Sequence, residues 1–161
     1  LSIASGADIT LTGIDVGGTN DQVFNMQPRA KFELMRRVTA HAVFHESGVL
    51  AHSWLSAEDF SAANAGREDT EGLVNLVKHV EGVRVAALFT EIEEGKTKIS
   101  LRSGGGFDCA EFLRPYGGGG HAAAAGATLD MPLDAARNTL LESLERLLCP
   151  SATGKDGGVS T

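Results

Sequence analysis

The chain has 161 residues, 20 of them glycine, with 42% hydrophobic and 22% charged residues and a formal net charge of -7. That apolar share supports one compact domain or two small ones and excludes global disorder. No stretch approaches the roughly 18 apolar residues a membrane-spanning helix needs, and an acidic chain does not coat long nucleic acid, so any anion it takes is bound locally.

In chain order, the opening Leu1-Ser2-Ile3-Ala4-Ser5-Gly6 has no Met and no basic stretch, which argues against a secretory signal and for a fragment or processed product. Residues 11–20 read as a short strand entering a glycine turn. Pro28 suits the first turn of a helix, which Phe32 and Met35 carry toward a strand. In that strand Val38, Ala40, Ala42 and Phe44 alternate with Thr39, His41, Val43 and His45. A turn at Glu46-Ser47-Gly48 then predicts a hairpin with residues 49–55. Ser56-Ala57-Glu58-Asp59 has capping-box form and opens a helix that Gly66 breaks. A second helix is predicted over 70–80, with Leu73, Val74, Val77 and Val80 on one face and Gly82 at its end. Residues 83–89 and 97–101 alternate as strands around Glu94-Gly95-Lys96, a second hairpin. After a loop at 104–106, a short helix is expected over 107–116. The segment 122–129 is ambiguous between helix and strand. Residues 132–148 carry the strongest helical spacing, through Leu133, Ala136, Leu140, Leu144 and Leu147. The fold class is therefore α/β, a mixed sheet built on hairpins with helices packed on one face.

The glycine run Gly117-Gly118-Gly119-Gly120 ahead of His121 is the most specific feature of the chain. Four glycines permit positive φ and close backbone approach, so several N–H groups can converge on one phosphate or carboxylate, with His121 adding a donor. A flexible linker is the plainer reading, and the small-residue segment after it argues against that. In Ile99-Ser100-Leu101-Arg102-Ser103, Leu101 faces the core, so Arg102 points to the opposite face and can grip phosphate in bidentate fashion. An exposed arginine on an edge strand fits the same pattern. Glu68 and Asp69 suit ordinary helix capping, and Glu91, Glu93 and Glu94 a solvated turn. His41 and His45, roughly 13 Å apart along an extended strand, cannot share a metal, and no zinc spacing or serine-nucleophile elbow is present. Gly13-Ile14-Asp15-Val16-Gly17-Gly18-Thr19-Asn20 looks like the phosphate turn of actin-like sugar kinases, but the chain is too short for the two lobes of that fold.

Taken in order, Glu68-Asp69-Thr70-Glu71-Gly72-Leu73-Val74-Asn75, then Ser100-Leu101-Arg102-Ser103, then residues 117–121 with Ala124-Ala125-Gly126 resemble the C-terminal, DHH-associated substrate-binding domain of DHH-family phosphoesterases. The nanoRNase and 3′-phosphoadenosine-5′-phosphate phosphatase branch is the most similar. The resemblance covers 26–148, leaving 1–25 unassigned and 149–161 as a frayed tail. It implies a hydrolase of short oligoribonucleotides or nucleotide bisphosphates, whose preceding domain holds Mn²⁺ on an Asp-His-His motif that this chain lacks. By that reading no catalytic residue and no metal ligand lies here, and the isolated chain is inactive. Carried over, Arg102, Ser103, Gly118, Gly119, Gly120 and His121 become phosphate and nucleotide contacts, with Asn75 as a further candidate. Ala122 stands where the family often has a basic residue. The partners implied are a short RNA or nucleotide and no membrane, with a homodimer of the full-length protein left open. Two cysteines that form no disulfide framework fit a cytoplasmic setting. The competing function is a stand-alone module binding an RNA end or a protein, as alanyl-tRNA synthetase-type proteins use a related domain.

Overall fold

A computed structural model describes residues 28–149. The strand and glycine turn expected over 11–20, the unassigned 1–25 segment and the tail beyond Cys149 lie outside the described residues.

Helix α1 (Arg29–Ala40) starts on Pro28, whose carbonyl accepts the Phe32 N–H. It buries Leu34 and Val38 completely, four residues apart on one stripe. The strand expected over 38–45 is thereby corrected: helix runs through Ala40, and only β1 (Val43–Phe44) is extended, with both residues exposed. Alanines at 40 and 42 bring little strand preference, so burial of Val38 beside Leu34 decides the local structure. The hairpin itself forms, because β1 pairs antiparallel with β2 (Leu50–Leu55) and sets Val43 opposite His52.

Helix α2 (Ala57–Ala63) carries the expected capping box, in which the Ser56 hydroxyl accepts the Asp59 N–H and the Asp59 carboxylate accepts the Ser56 N–H. The helix expected over 70–80 is split into a 3₁₀ turn, Arg67–Thr70, and a short α3, Val74–Lys78. Gly72, at φ +79°, interrupts it. Leu73, Val74 and Val77 are buried as the spacing requires, while Val80 is exposed, because the helix ends before that position. Strands β3 (Val85–Glu93) and β4 (Lys96–Ser103) form the second hairpin. Then come α4 (Cys109–Leu113), a 3₁₀ turn at Arg114–Tyr116, β5 (Gly119–His121), β6 (Ala124–Leu129) and α5 (Leu133–Leu148). Burial of Ala125, Ala127 and Leu129 at every second position resolves the ambiguous 122–129 segment as strand.

The six strands form one mixed sheet in the order β1-β2-β3-β4-β6-β5. Only β2 and β3 pair in parallel, joined by the crossover that carries α2 and α3. The helices lie on both faces rather than on one. Leu50, Val85, Ala87, Phe89, Ile99 and Leu101 pack with α4 and α5. Ala51, Leu55, Ala86 and Leu88 pack with α1, α2 and α3. Strand period forces the split: two apolar sets on successive residues of β2 and β3 each need their own cover. Strands β5 and β6 contribute nothing to the second cluster, so that half of the face stays accessible.

Candidate functional site

Parity along β4 sets up the site. Ile99 and Leu101 are buried against α5, which turns Lys98, Ser100 and Arg102 to the other face. Arg102 sits in an interior strand rather than at an edge, opposite Ala86 on β3 and Ala124 on β6. Ala124 in turn faces His121 on β5. Ala86, Arg102, Ala124 and His121 therefore form one row across four strands, on one face. Two strand spacings, roughly 10 Å, separate Arg102 from His121 along that row.

The loop after α2 and the outward face of β4 enclose a cleft of about 390 Å³ that takes in Arg102 of this row, lined chiefly by Arg67, Glu68, Glu71, Lys98, Ser100 and Arg102. Arg102 donates from Nη1 to the Leu101 carbonyl at 2.9 Å. Among the described residues Arg67, Lys98 and Arg102 have no carboxylate within 4.0 Å. Asp69 does the structural work of the loop, accepting the Gly66 N–H at 2.9 Å. Glu91, expected to be merely solvated, accepts the Ala57 N–H at 2.9 Å and so caps α2.

The glycine run is an edge strand rather than an open nest. The Gly117 and Gly118 N–H groups are taken by the Arg114 and Leu113 carbonyls, and residues 119–121 pair with β6. A Cβ on Gly118 would lie 2.8 Å from Ala127 Cβ, Gly126 O and Leu113 Cβ, and one on Gly120 would lie 2.5 Å from Ala124 O. These glycines let β5 lie close against β6 and α4. Gly119 has open space around its α-carbon, and His121 is exposed.

Ser103 faces away from Arg102. Its hydroxyl donates to the Phe107 carbonyl at 2.7 Å and its N–H to the Ala123 carbonyl at 2.9 Å, so it fixes the loop that follows β4. Asn75, in the first turn of α3, follows Val74 of the cleft wall without lining the cleft itself. The structure thus brings Arg102, His121 and the glycine strand onto one surface and leaves Ser103 and Asn75 off it. Sequence reasoning missed Lys98 and Arg67. Lys98 was recoverable, because it shares parity with Arg102; the crossover loop that delivers Arg67 leaves no such signal.

A second polar cluster, at the β1–β2 edge, also went unread. His45 Nδ1 lies 2.5 Å from Glu145, and its Nε2 is 2.9 Å from His52 Nδ1. His41 stacks on Trp54, and the Arg137 guanidinium lies 3.7 Å from the Trp54 ring centre. Burial, reinforced by the charges of His45 and Arg137, pulls the His52 pKa down to about 4. Burial likewise raises the Cys109 thiol above its usual value.

The fold is a mixed six-stranded α/β sheet, and the chain belongs to the DHHA1 family, whose domain model matches residues 49–148. It is 35% identical over 143 residues to the bifunctional oligoribonuclease and PAP phosphatase NrnA of Thermus thermophilus, covering 88% of this chain and 42% of that protein. Among solved structures, an exopolyphosphatase-related protein from Bacteroides fragilis superposes with a TM-score of 0.69 at 27% identity, over 78% of this chain and 38% of that one. A pGpG-specific phosphodiesterase from Vibrio cholerae shares the fold, with a TM-score of 0.52 at 12% identity over 76% and 40% of the two chains. The chain spans less than half the length of these relatives.

Proposed function

We propose that this chain supplies the substrate-gripping half of a DHH-family phosphoesterase that hydrolyses short oligoribonucleotides or nucleotide bisphosphates. The observation that carries the reading is the set of cations without carboxylate partners, Arg67, Lys98 and Arg102, around a cleft on the same face as His121. Cations without carboxylate partners attract a compact polyanion, and the partly buried Arg102 offers the planar fork that matches phosphate. Glu68 and Glu71 on the opposite wall repel a second phosphate at that point, so the cleft favours one terminal phosphate over a continuous strand. His121 and the exposed edge of β5 then approach the sugar or base from the other side of the row.

In this reading hydrolysis belongs to an Asp-His-His domain holding Mn²⁺. The described residues do not fit that ion, since no three His, Cys, Asp or Glu side chains among them are placed to hold a metal. What this chain contributes is binding and orientation, which lower the entropic cost of presenting the phosphate ester to the reacting centre. The unpaired thiols of Cys109 and Cys149 support a reducing, cytoplasmic setting. Titration calorimetry of the chain with adenosine 3′,5′-bisphosphate tests the reading. Arg102→Ala and His121→Ala are each expected to weaken binding about tenfold or more, the loss of one charge-assisted contact. Unchanged affinity in both variants would remove the site assignment.

A further inference from the structure

The Arg67 side chain stands between two cavities. It lines the cleft together with Lys98 and Arg102. It also lines a second cavity, of about 320 Å³, whose walls include Phe60 of α2 and both Glu91 and Glu93 at the end of β3. We propose that Glu93 is a positioning residue for the cleft, competing with the bound anion for the Arg67 guanidinium: it holds Arg67 toward the β3–β4 turn while the cleft is empty and yields it when a phosphate arrives. The proposal rests on the reading of the preceding subsection and deepens it, because it names what sets the strength of that same cleft.

An irregularity in β3 puts Glu93 where it can do this. Glu91 pairs with Thr97 and Glu93 with Lys96, so three residues of β3 stand against two of β4 and Ile92 is left over. A bulge of this kind re-aims the side chains beyond it. Glu91 keeps the parity of Thr97, whereas Glu93 takes that of Lys96, the parity that Lys98 and Arg102 share. Uninterrupted alternation would have given Glu93 the parity of Glu91. On the other side, the backbone of Arg67 is fixed. The Gly66 N–H donates to Asp69 at 2.9 Å, and the Thr70 hydroxyl donates to the Arg67 carbonyl at 2.6 Å. Only the side chain of Arg67 is left to choose between the two cavities.

Charge decides that choice. Among the described residues no carboxylate lies within 4.0 Å of the Arg67 guanidinium, so no ion pair locks it in either place. Lys98 and Arg102 repel it from the empty cleft, and Glu91 and Glu93 draw it the other way. An anion in the cleft reverses the first of these forces. Glu91 is already committed, since it accepts the Ala57 N–H at 2.9 Å. Glu93 is bound only to Lys96, at 2.5 Å, with both side chains partly exposed. Lys96 chiefly, and Arg67 with it, holds the Glu93 carboxyl below the usual carboxylate range. Glu93 therefore feels both cations, and the partner it loses when Arg67 turns into the cleft is the lesser of the two.

A double-mutant cycle tests the competition, by titration calorimetry of the full 161-residue chain with adenosine 3′,5′-bisphosphate at about 0.01 M ionic strength, where screening is weak. Glu93→Gln is expected to tighten binding about two- to fivefold, the range of one exposed ion pair. In an Arg67→Ala background the same substitution should change affinity by less than about 1.3-fold. No tightening in Glu93→Gln overturns the proposal. So does a gain that persists without Arg67, which would come from a freed Lys96 or from the general field. A second reading needs no weakened variant: the Arg67 Nε–Hε resonance should shift when wild type takes the bisphosphate, and Glu93→Gln alone should move the unliganded resonance part of the same way. An unliganded resonance that stays in place in Glu93→Gln also overturns the proposal. All of these failures leave the cleft assignment standing, whereas a wild-type chain that does not bind the bisphosphate overturns both.

Discussion

At the β1–β2 edge, charges are matched within the fold: Arg37 meets Asp59 at 2.9 Å, Arg146 meets Glu142 at 2.8 Å, and His45 bridges Glu145 and His52. Around β4 only Lys96, at the start of the strand, pairs with a carboxylate, that of Glu93, while Arg67, Lys78, Arg84, Lys98 and Arg102 all lack one among the described residues. The chain as a whole carries a charge of -7, so partners for these cations were not scarce. The difference teaches that net charge says little about a binding face; what matters is where the fold declines to neutralise. One end of the sheet uses polar groups to close itself, and the other keeps them available.

The sharpest way to break the closed end is Trp54→Ala. Trp54 carries both the His41 stack and the Arg137 contact, and its loss is expected to cost about 3 to 5 kcal/mol in urea denaturation. A test of similar size needs no mutation. The His52 pKa is about 4 in the folded chain against 6.5 as the ordinary value. Between those values the unfolded chain binds more protons, so stability is full above pH 6.5 and falls as pH drops toward 4, by roughly 3 kcal/mol in all. Urea midpoints at successive pH values check this, and His52→Gln should flatten the profile.

At the open end, Gly118→Ala should cost about 1 to 3 kcal/mol, because its Cβ meets three atoms at 2.8 Å. Gly119→Ala, one residue on and with nothing within 4 Å, should change stability by about 0.5 kcal/mol or less in the same assay. Equal losses at the two glycines would contradict the close packing of β5 on β6. Smallest of all, Arg102→Ala is expected to leave the unfolding midpoint within about 0.5 kcal/mol of wild type, since its side chain bonds only the carbonyl of its neighbour Leu101 among the described residues.

Legibility in the sequence followed the type of signal. Capping chemistry at Ser56 and Asp59, the turn around Gly95 and the apolar stripe of α5 are local, and each stands where the residues indicate, except that Leu147, expected on that stripe, is exposed in the helix's last turn. Val38 misled because two periods fit it at once, and only contact with Leu34 and the sheet selects the helix. The division of helices between two faces was hidden for the same reason: period 2 shows that β3 alternates, but both of its faces are apolar. The placement of Arg102 on the face opposite Ile99 and Leu101 was legible from parity. The role of the glycines was not, because a requirement for close approach and one for anion binding select the same residue. The Trp54–His41–Arg137 cluster joins three separate elements and leaves no trace at any fixed spacing.

The parallel β2–β3 pair has a consequence for how the cleft comes into being. Leu50 meets Val85, 35 positions later, and the residues of the cleft wall, Arg67 to Val74, lie inside the loop that this pairing closes. Contacts of such long range form only after the entropy of a large loop has been overcome. The β3–β4 hairpin, by contrast, needs only its own turn. A chain caught part-way through folding can therefore present Arg102 on its strand while the wall opposite is still missing. The cleft is complete only once that long-range pairing has formed, so a ligand that fitted it would select chains that have completed it.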